Sequence, residues 1–399
     1  MGKSIKASPD LVVSIDLGAS LTKIVAVDKL GKYILLAPGA DVSQVPVEMI
    51  EMSQSKIWGD GLPEHQMWAS TSEGSFACGT FALENFKGRS NLVLSKLDEC
   101  VPKILTAIWV LAQKYQLGDR FTVRLGCLLP AAECSEGDIN ELRQRLIPAL
   151  KSFVTPTGKM RVKIAGDIEV KPEGAGIYIY HRTFMGQKHL RSIKLGILGI
   201  GYRNANLLIS TNGAVSDRHR YTNDLGFHYL VSEVKRLQGS AFDVPTLASL
   251  IHDIGWKVNS VLLPRRLEEL NKLRRLDSLT ESIEKAKEIY WMQFNRWLKD
   301  LRFSSRSVDA IGFYGGSIVY FSEPLFDYFK SCPNIYWPKT IEVAPSLIKE
   351  IVVEKSQKGL SYRFADPWCF CHLLCQQTPG YKELGLAKLL EEKNNDQRK

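Results

Sequence analysis

The chain has 399 residues, 45% hydrophobic and 24% charged, a composition suited to a globular protein large enough for two domains with cores of their own. No apolar run reaches the length of a membrane span, and Met1-Gly2-Lys3-Ser4-Ile5-Lys6 has neither a signal core nor the Ser or Thr that a myristoylation signal needs at Lys6, so the reading is cytoplasmic with no membrane partner. The eight cysteines are scattered in apolar surroundings and read as reduced thiols. The net charge is +9, and basic residues crowd between Lys257 and Arg306, but Glu268, Glu269, Glu281, Glu284 and Glu288 are interleaved there, so direct nucleic-acid binding is not expected.

The first strong pattern is strand Leu11–Ile15, a polar turn, and strand Ile24–Val27. Between them lies Asp16-Leu17-Gly18-Ala19-Ser20-Leu21-Thr22-Lys23. Gly18 lets the backbone approach a ligand, successive N–H groups of such a turn form a concave anion site, and Lys23 adds a point charge for a phosphate. Asp16 closes the first strand and suits a hydrated Mg²⁺. A plain hairpin, in which Asp and Gly serve only the turn, explains the same residues.

Lys32–Leu36 continues as a strand, and 38–66 reads as loops with short strands in a small insertion spanning about 38–95. Lys96–Tyr115 has the apolar spacing of a core helix, Phe121–Leu129 is a buried strand, and Gly137–Leu150 is a second helix. Strand Arg161–Val170 leads into Pro172-Glu173-Gly174 at a helix start. There Glu173 is either a first-turn residue favoured by the helix dipole or a general base aimed into a cleft.

A second strand–turn–strand follows: Ile193–Leu198, then Gly199-Ile200-Gly201-Tyr202-Arg203-Asn204, then Ala205–Ser210. It repeats the layout of residues 11–27, which suggests two similar lobes whose glycine turns grip one phosphate chain from opposite sides. Asp224-Leu225-Gly226 precedes helix Phe227–Leu237, Pro245–Ile254 reads as a short helix, and Ser278-Leu279-Thr280-Glu281 reads as a capping box opening a long helix through Arg302. Ala310–Tyr314 is a buried strand running into Gly315-Gly316-Ser317, with helix Val319–Lys330 behind. Phe364–Gln376 is the last helix. Its cysteines and His372 read as a buried apolar helix rather than a metal site, and the tail Glu391–Lys399 is polar.

In their order, Asp16…Lys23, Pro172-Glu173-Gly174, Gly199…Asn206, Asp224-Leu225-Gly226 and Gly315-Gly316-Ser317 resemble the actin fold, and within it the bacterial plasmid-segregation actins of the ParM/StbA type. The resemblance runs from about residue 10 to residue 378, and Phe364-Ala365-Asp366 is similar to the Phe-Ala-Asn run of that family's late helix. It implies an α/β chain of two lobes, each a mixed sheet flanked by helices: lobe I over 1–190, lobe II over 191–378 with a helical insertion at about 240–303 and its final helix packed back towards lobe I, and a polar tail over 379–399. It implies ATP or GTP with Mg²⁺ in a cleft, head-to-tail filaments, hydrolysis that destabilises them, and a DNA-bound adapter protein that links filaments to plasmid DNA. Site roles carry over: Asp16 for the Mg²⁺ shell through water, Lys23 and residues 18–21 for phosphate, and Glu173 for water activation. Gly199 and Gly201–Asn204 serve the other side of the phosphates. Glu233, Lys235 and Gly315–Ser317 serve the nucleoside, and Asp224 is a further nucleotide-binding residue.

One departure stands out. The family's second phosphate turn carries two Asp residues, where this chain has Gly199 and Asn206. Phosphoryl transfer depends on positioning and electrostatics, so the loss makes slow hydrolysis, or a non-hydrolysing nucleotide-gated scaffold, an open alternative, and Arg203 a partial substitute. A small-molecule kinase of the same superfamily is the other alternative, although no clear substrate-side Asp is visible. Heat-shock chaperones would need an extra domain.

Overall fold

The structure, a computed structural model, describes residues 8–56, 61–88, 95–238, 269–338 and 360–385, with positions 244, 247, 248, 251, 341, 343 and 345–351. The chain divides into two compact units: the described residues within Met1–Gln187, Ile341–Glu354 and Ser361–Lys399 form one, and those within Lys188–Thr340 and Lys355–Leu360 the other. Among the described residues no helix is long and apolar enough to cross a membrane.

The first unit opens with the fully buried strand β1 (Leu11–Leu17) and its antiparallel partner β2 (Thr22–Asp28), followed by β3 (Tyr33–Leu36). The insertion holds β4 (Val42–Gln44), α1 (Val47–Gln54), β5 (Trp68–Thr71), β6 (Gly74–Cys78) and α2 (Gly79–Phe86). Helix α1 lies in a segment that reads as loop, because it buries only Ile50 and leaves Met49 and Met52 exposed, so its apolar spacing is faint. The core helix α3 (Lys96–Lys114) packs beneath the sheet, with Ser95 as N-cap. Then come β7 (Arg120–Leu129), α4 (Glu136–Lys151) with the Ser135–Asp138 capping box, β8 (Phe153–Thr155), β9 (Gly158–Ile164), β10 (Glu169–Pro172) and α5 (Ala175–Met185). The single strand expected over 161–170 is two, β9 and β10, which both run parallel to β7 at different registers. The sheet order is β3-β2-β1-β7-β9-β8-β5-β6-β4, with β10 also on β7.

The second unit starts at α6 (Gln187–Ser192) and builds a five-stranded sheet in the order β13-β12-β11-β14-β15. Its strands are β11 (Leu195–Ile200), β12 (Ala205–Thr211), β13 (Ala214–Asn223), β14 (Ala310–Tyr314) and β15 (Asn334–Tyr336). They are flanked by α7 (Phe227–Gln238), α8 (Glu269–Asp300) and α9 (Ser322–Phe329). Helix α8 begins well before Ser278. The expected capping box at 278–281 is therefore helix interior, where Ser282 bonds back to the Ser278 carbonyl and Glu281 pairs with Lys285 one turn on. The helix expected at 319–330 opens as a 3₁₀ turn over Ile318–Phe321. The short helix read at 245–254 and the tail from 391 fall largely or wholly outside the described residues.

The chain then returns to the first unit with α10 (Pro345–Lys349) and α11 (Leu360–Gln377). The last helix, expected as a part of lobe II that packs back towards lobe I, is grouped with the first unit itself, and within the polar tail expected from 379 Tyr381 is fully buried and donates to the Pro9 and Asp10 carbonyls. Helix α11 lies against β7 so closely that a Cβ on Gly126 would meet Phe370 and Leu374 at 2.6–2.7 Å. That contact explains the apolar face of the helix. All eight cysteines are buried free thiols, and among the described residues no cluster of three His, Cys, Asp or Glu side chains could hold a metal.

Candidate nucleotide site

In the first unit, β1 and β2 place Asp16 directly across from Lys23. Their side chains pair at 2.5 Å through Asp16 Oδ2, while Asp16 Oδ1 is buried without a hydrogen-bond partner. The turn between them is tight: the Gly18 N–H donates to the Asp16 carbonyl, and a Cβ on Gly18 would sit 2.4 Å from the Leu21 carbonyl oxygen. Ala19, Ser20 and Leu21 form the half-buried tip, and Ser20 Oγ accepts from Arg363 of α11 at 2.6 Å.

Glu173 lies at the end of β10, where its own N–H donates to the Leu129 carbonyl. Its carboxylate is buried and receives a short hydrogen bond from Lys96 Nζ. Lys96 occupies the first turn of α3, an end where the helix dipole and burial both disfavour a cation. Burial works against its charge, but Glu173, Asp16 and Glu133 outweigh that, so its pKa lies above the ordinary lysine value. Breaking such a buried pair by removing one partner costs about 3–5 kcal/mol.

Asp366 completes the cluster. From α11 it accepts the N–H groups of Gly174, Gly176 and Ile177 at 2.6, 2.8 and 3.2 Å, and so caps the N-terminus of α5. Burial pushes its carboxyl up to about 7, with the Asp16 and Glu173 charges adding to the rise and the backbone bonds opposing it. Sequence reasoning singled out Glu173 but missed Lys96, Asp366 and Arg363. The signal for Lys96 was a lysine at a helix start, and that for Asp366 was its place in the Phe-Ala-Asp run.

In the second unit, Gly201–Asn204 form a turn after β11, closed by the Gly201 N–H to the Asn204 carbonyl. The turn is knitted to the start of α7, whose region donates Gly226, Phe227 and His228 N–H groups to the carbonyls of Arg203, Gly201 and Tyr202. Asn204 Nδ2 donates to Asp224, leaving buried Asn204 Oδ1 without a partner. Ser317 donates its N–H to the Ile200 carbonyl and its hydroxyl to that of Gly201, and a Cβ on Gly315 would lie 2.5 Å from the Ile200 oxygen. The turn at 201–204, Asp224, Gly226, Gly315 and Ser317 thus share one corner of the second unit.

Gly199 differs from the expectation. It lies within β11 rather than in the turn, and the Tyr314 ring fills the space where a side chain would stand, a Cβ meeting it at 2.1 Å. Asn206, across from Gly199, accepts from Thr222. On α7, Glu233 holds Arg236 at 2.8 Å and Lys235 is exposed.

Mg²⁺ fits this donor set in one place: the orphaned, buried Asp16 Oδ1 suits a metal-bound water, whereas Asp366 is committed to backbone amides.

No protein-family model matches the chain, and no curated protein matches it by sequence. Solved structures match over most of its length. The actin-like protein Alp7A aligns at 14% identity over 97% of this chain and 98% of its own, with a TM-score of 0.58. A ParM from Bacillus thuringiensis, solved with AMPPNP, aligns at 12% identity over 92% and 99%, with a TM-score of 0.55. The Alp12 filament structure aligns at 14% identity over 82% and 93%, with a TM-score of 0.52. The chain has the actin-like fold, and its structural neighbours are actin homologues, ParM among them.

Proposed function

We propose that this chain is a nucleotide-dependent, filament-forming actin-like protein that binds ATP or GTP with Mg²⁺ and hydrolyses it. The observation that carries the reading is the first hairpin: a buried Asp16 with one oxygen on Lys23 and the other unpartnered, on an actin-like fold. Asp16 would hold Mg²⁺ through water, and the metal would supply charge neutralisation on the triphosphate. Lys23 and the 19–21 backbone would bind phosphate oxygens, as would the 202–204 backbone of the second unit. Glu173, aligned by Lys96, accepts a hydrogen bond from the attacking water and orients it. The Alp12 and ParM neighbours support assembly into filaments, and a head-to-tail contact, being heterologous, does not close. Segregation of plasmid DNA through an adapter is the cellular role that fits this family.

A second reading, a non-hydrolysing nucleotide-gated scaffold, draws on Gly199 beneath Tyr314 and on Asn206, which leave the second turn without a carboxylate. Sedimentation tests the proposal. Pelleting should rise with ATP or GTP plus Mg²⁺ and less with the diphosphate, and released phosphate measured in parallel separates the two readings. A protein that stays monomeric at tens of micromolar in every nucleotide condition would contradict assembly.

A further inference from the structure

Helix α11 touches the first unit's site at two points one turn apart. Arg363 donates to Ser20 at the tip of the phosphate hairpin, and Asp366 receives the amides of Gly174, Gly176 and Ile177, the turn that carries Glu173. The second contact has no slack. A Cβ on Gly176 would lie 2.1 Å from the Asp366 carbonyl oxygen, so α5 and α11 meet backbone to backbone and a shift of one moves the other. The helix is weak just there. Pro367 follows Asp366 and has no N–H to give the carbonyl four residues back, that of Arg363, so the turn from 363 to 367 can bend more easily than its neighbours. Beyond it the helix is fixed, with Phe370 and Leu374 against Gly126, and Trp368 and His372 around Tyr33.

We propose that Arg363 and Asp366 act as one positioning element, in which Arg363 registers the phosphates at the first hairpin and Asp366 passes that state to the Glu173 turn. The inference rests on the nucleotide reading above and adds a control to it. Arg363 is suited to the sensing end. Its planar guanidinium carries five N–H donors in a fork that matches phosphate, and its bond to Ser20 already aims it at the loop. A triphosphate that draws the guanidinium towards it pulls on the first turn of α11. The bend at Pro367 keeps the rest of the helix in place, and Asp366 moves the α5 N-terminus with Glu173. A diphosphate makes fewer contacts with Arg363 and leaves the turn in its resting position. Displacing a positioned group by about 1 Å costs up to about 10²-fold in rate, so small movements suffice.

The test follows amide hydrogen exchange at Gly174, Gly176 and Ile177 in the full chain, with calorimetry of the same nucleotides. The probes are AMPPNP with Mg²⁺ and ADP with Mg²⁺. In the wild type, exchange at these amides should differ between the two. In Arg363→Ala, AMPPNP should still bind while that difference vanishes, and phosphate release from ATP should fall by about 10²-fold. Asp366→Asn should lose the difference from the other end; if it fails to fold, Arg363→Ala alone decides. Wild-type exchange that ignores the nucleotide bound, or an Arg363→Ala protein that responds like wild type, overturns the coupling and leaves the nucleotide reading intact. A wild type that binds neither nucleotide overturns the nucleotide reading and this inference with it.

Discussion

The two strand–turn–strand hairpins of this chain share a frame and differ in what occupies it. In the first, the register places Asp16 across from Lys23 ahead of a turn at 18–21; in the second, the equivalent register places Gly199 across from Asn206 ahead of a turn at 201–204. The first pair is charged, buried and has an oxygen to spare. The second is neutral and closed: the Tyr314 ring takes the place of a side chain at Gly199, and Thr222 occupies Asn206. The second turn spends its carbonyls on the start of α7, which makes it a rigid ledge of backbone amides. A duplicated frame therefore does not duplicate chemistry. Under the nucleotide reading proposed above, the metal and water chemistry would fall to the first unit, where the buried Asp16 oxygen is unpartnered.

The largest expected effect probes that asymmetry at Glu173. Glu173→Gln, which keeps an oxygen acceptor for Lys96 where alanine would strand it buried and unpaired, should leave nucleotide binding and filament growth in place and lower phosphate release by about 10²–10⁴-fold, so that filaments persist in light-scattering records. Equal release by wild type and variant would make Glu173 a structural partner of Lys96, and Asp224 the next residue to replace.

A second difference is in acid stability. Burial pulls His181 on α5 and His372 on α11, both in the first unit, down to about 4. An unfolded histidine titrates near 6.5, so their contribution is whole above that pH and is lost as pH falls from 6.5 through 4. Asp366 works in the opposite sense: held up at about 7, it contributes fully below about 4 and loses that contribution as pH rises through 7. Between pH 7 and pH 5 the two histidines together remove about 4 kcal/mol, and Asp366 returns about 2. Measured against the intrinsic exchange rate at each pH, amide protection should therefore fall more in α5 and α11 than in β11 and β12 between pH 7 and pH 5. An equal loss of protection in both units would remove the distinction.

The smallest expected effect is a direct test of the closed second hairpin. Gly199→Ala should cost about 1–3 kcal/mol by forcing the Tyr314 ring aside, read as a lowered thermal midpoint, and in a Tyr314→Ala background the same substitution should cost less because the ring is gone. A neutral Gly199→Ala would mean that the ring yields freely and that the turn could still accept a carboxylate.

Much of this frame was legible in the residues. The strands flanking both turns, the helix from Lys96 and the buried strand at 310–314 follow from apolar periodicity that packing then rewards. What escaped was long-range. Nothing near Lys96 shows that it meets a carboxylate from the far end of β10, and nothing near Asp366 shows that it caps a helix begun at Ala175. Gly199 looked like a turn glycine because the ring that requires it comes from another strand. The false capping box at 278–281 obeyed local rules that the longer helix overrode.

The central claim, that metal and triphosphate are held chiefly by the first hairpin, is tested most directly by calorimetric titration of ATP and GTP, with and without Mg²⁺, into wild type, Asp16→Ala and Asn206→Ala. The account predicts that Asp16→Ala loses the Mg²⁺-dependent part of triphosphate binding while Asn206→Ala keeps it. Unchanged affinity in Asp16→Ala, or a loss in Asn206→Ala as large as that in Asp16→Ala, would contradict it.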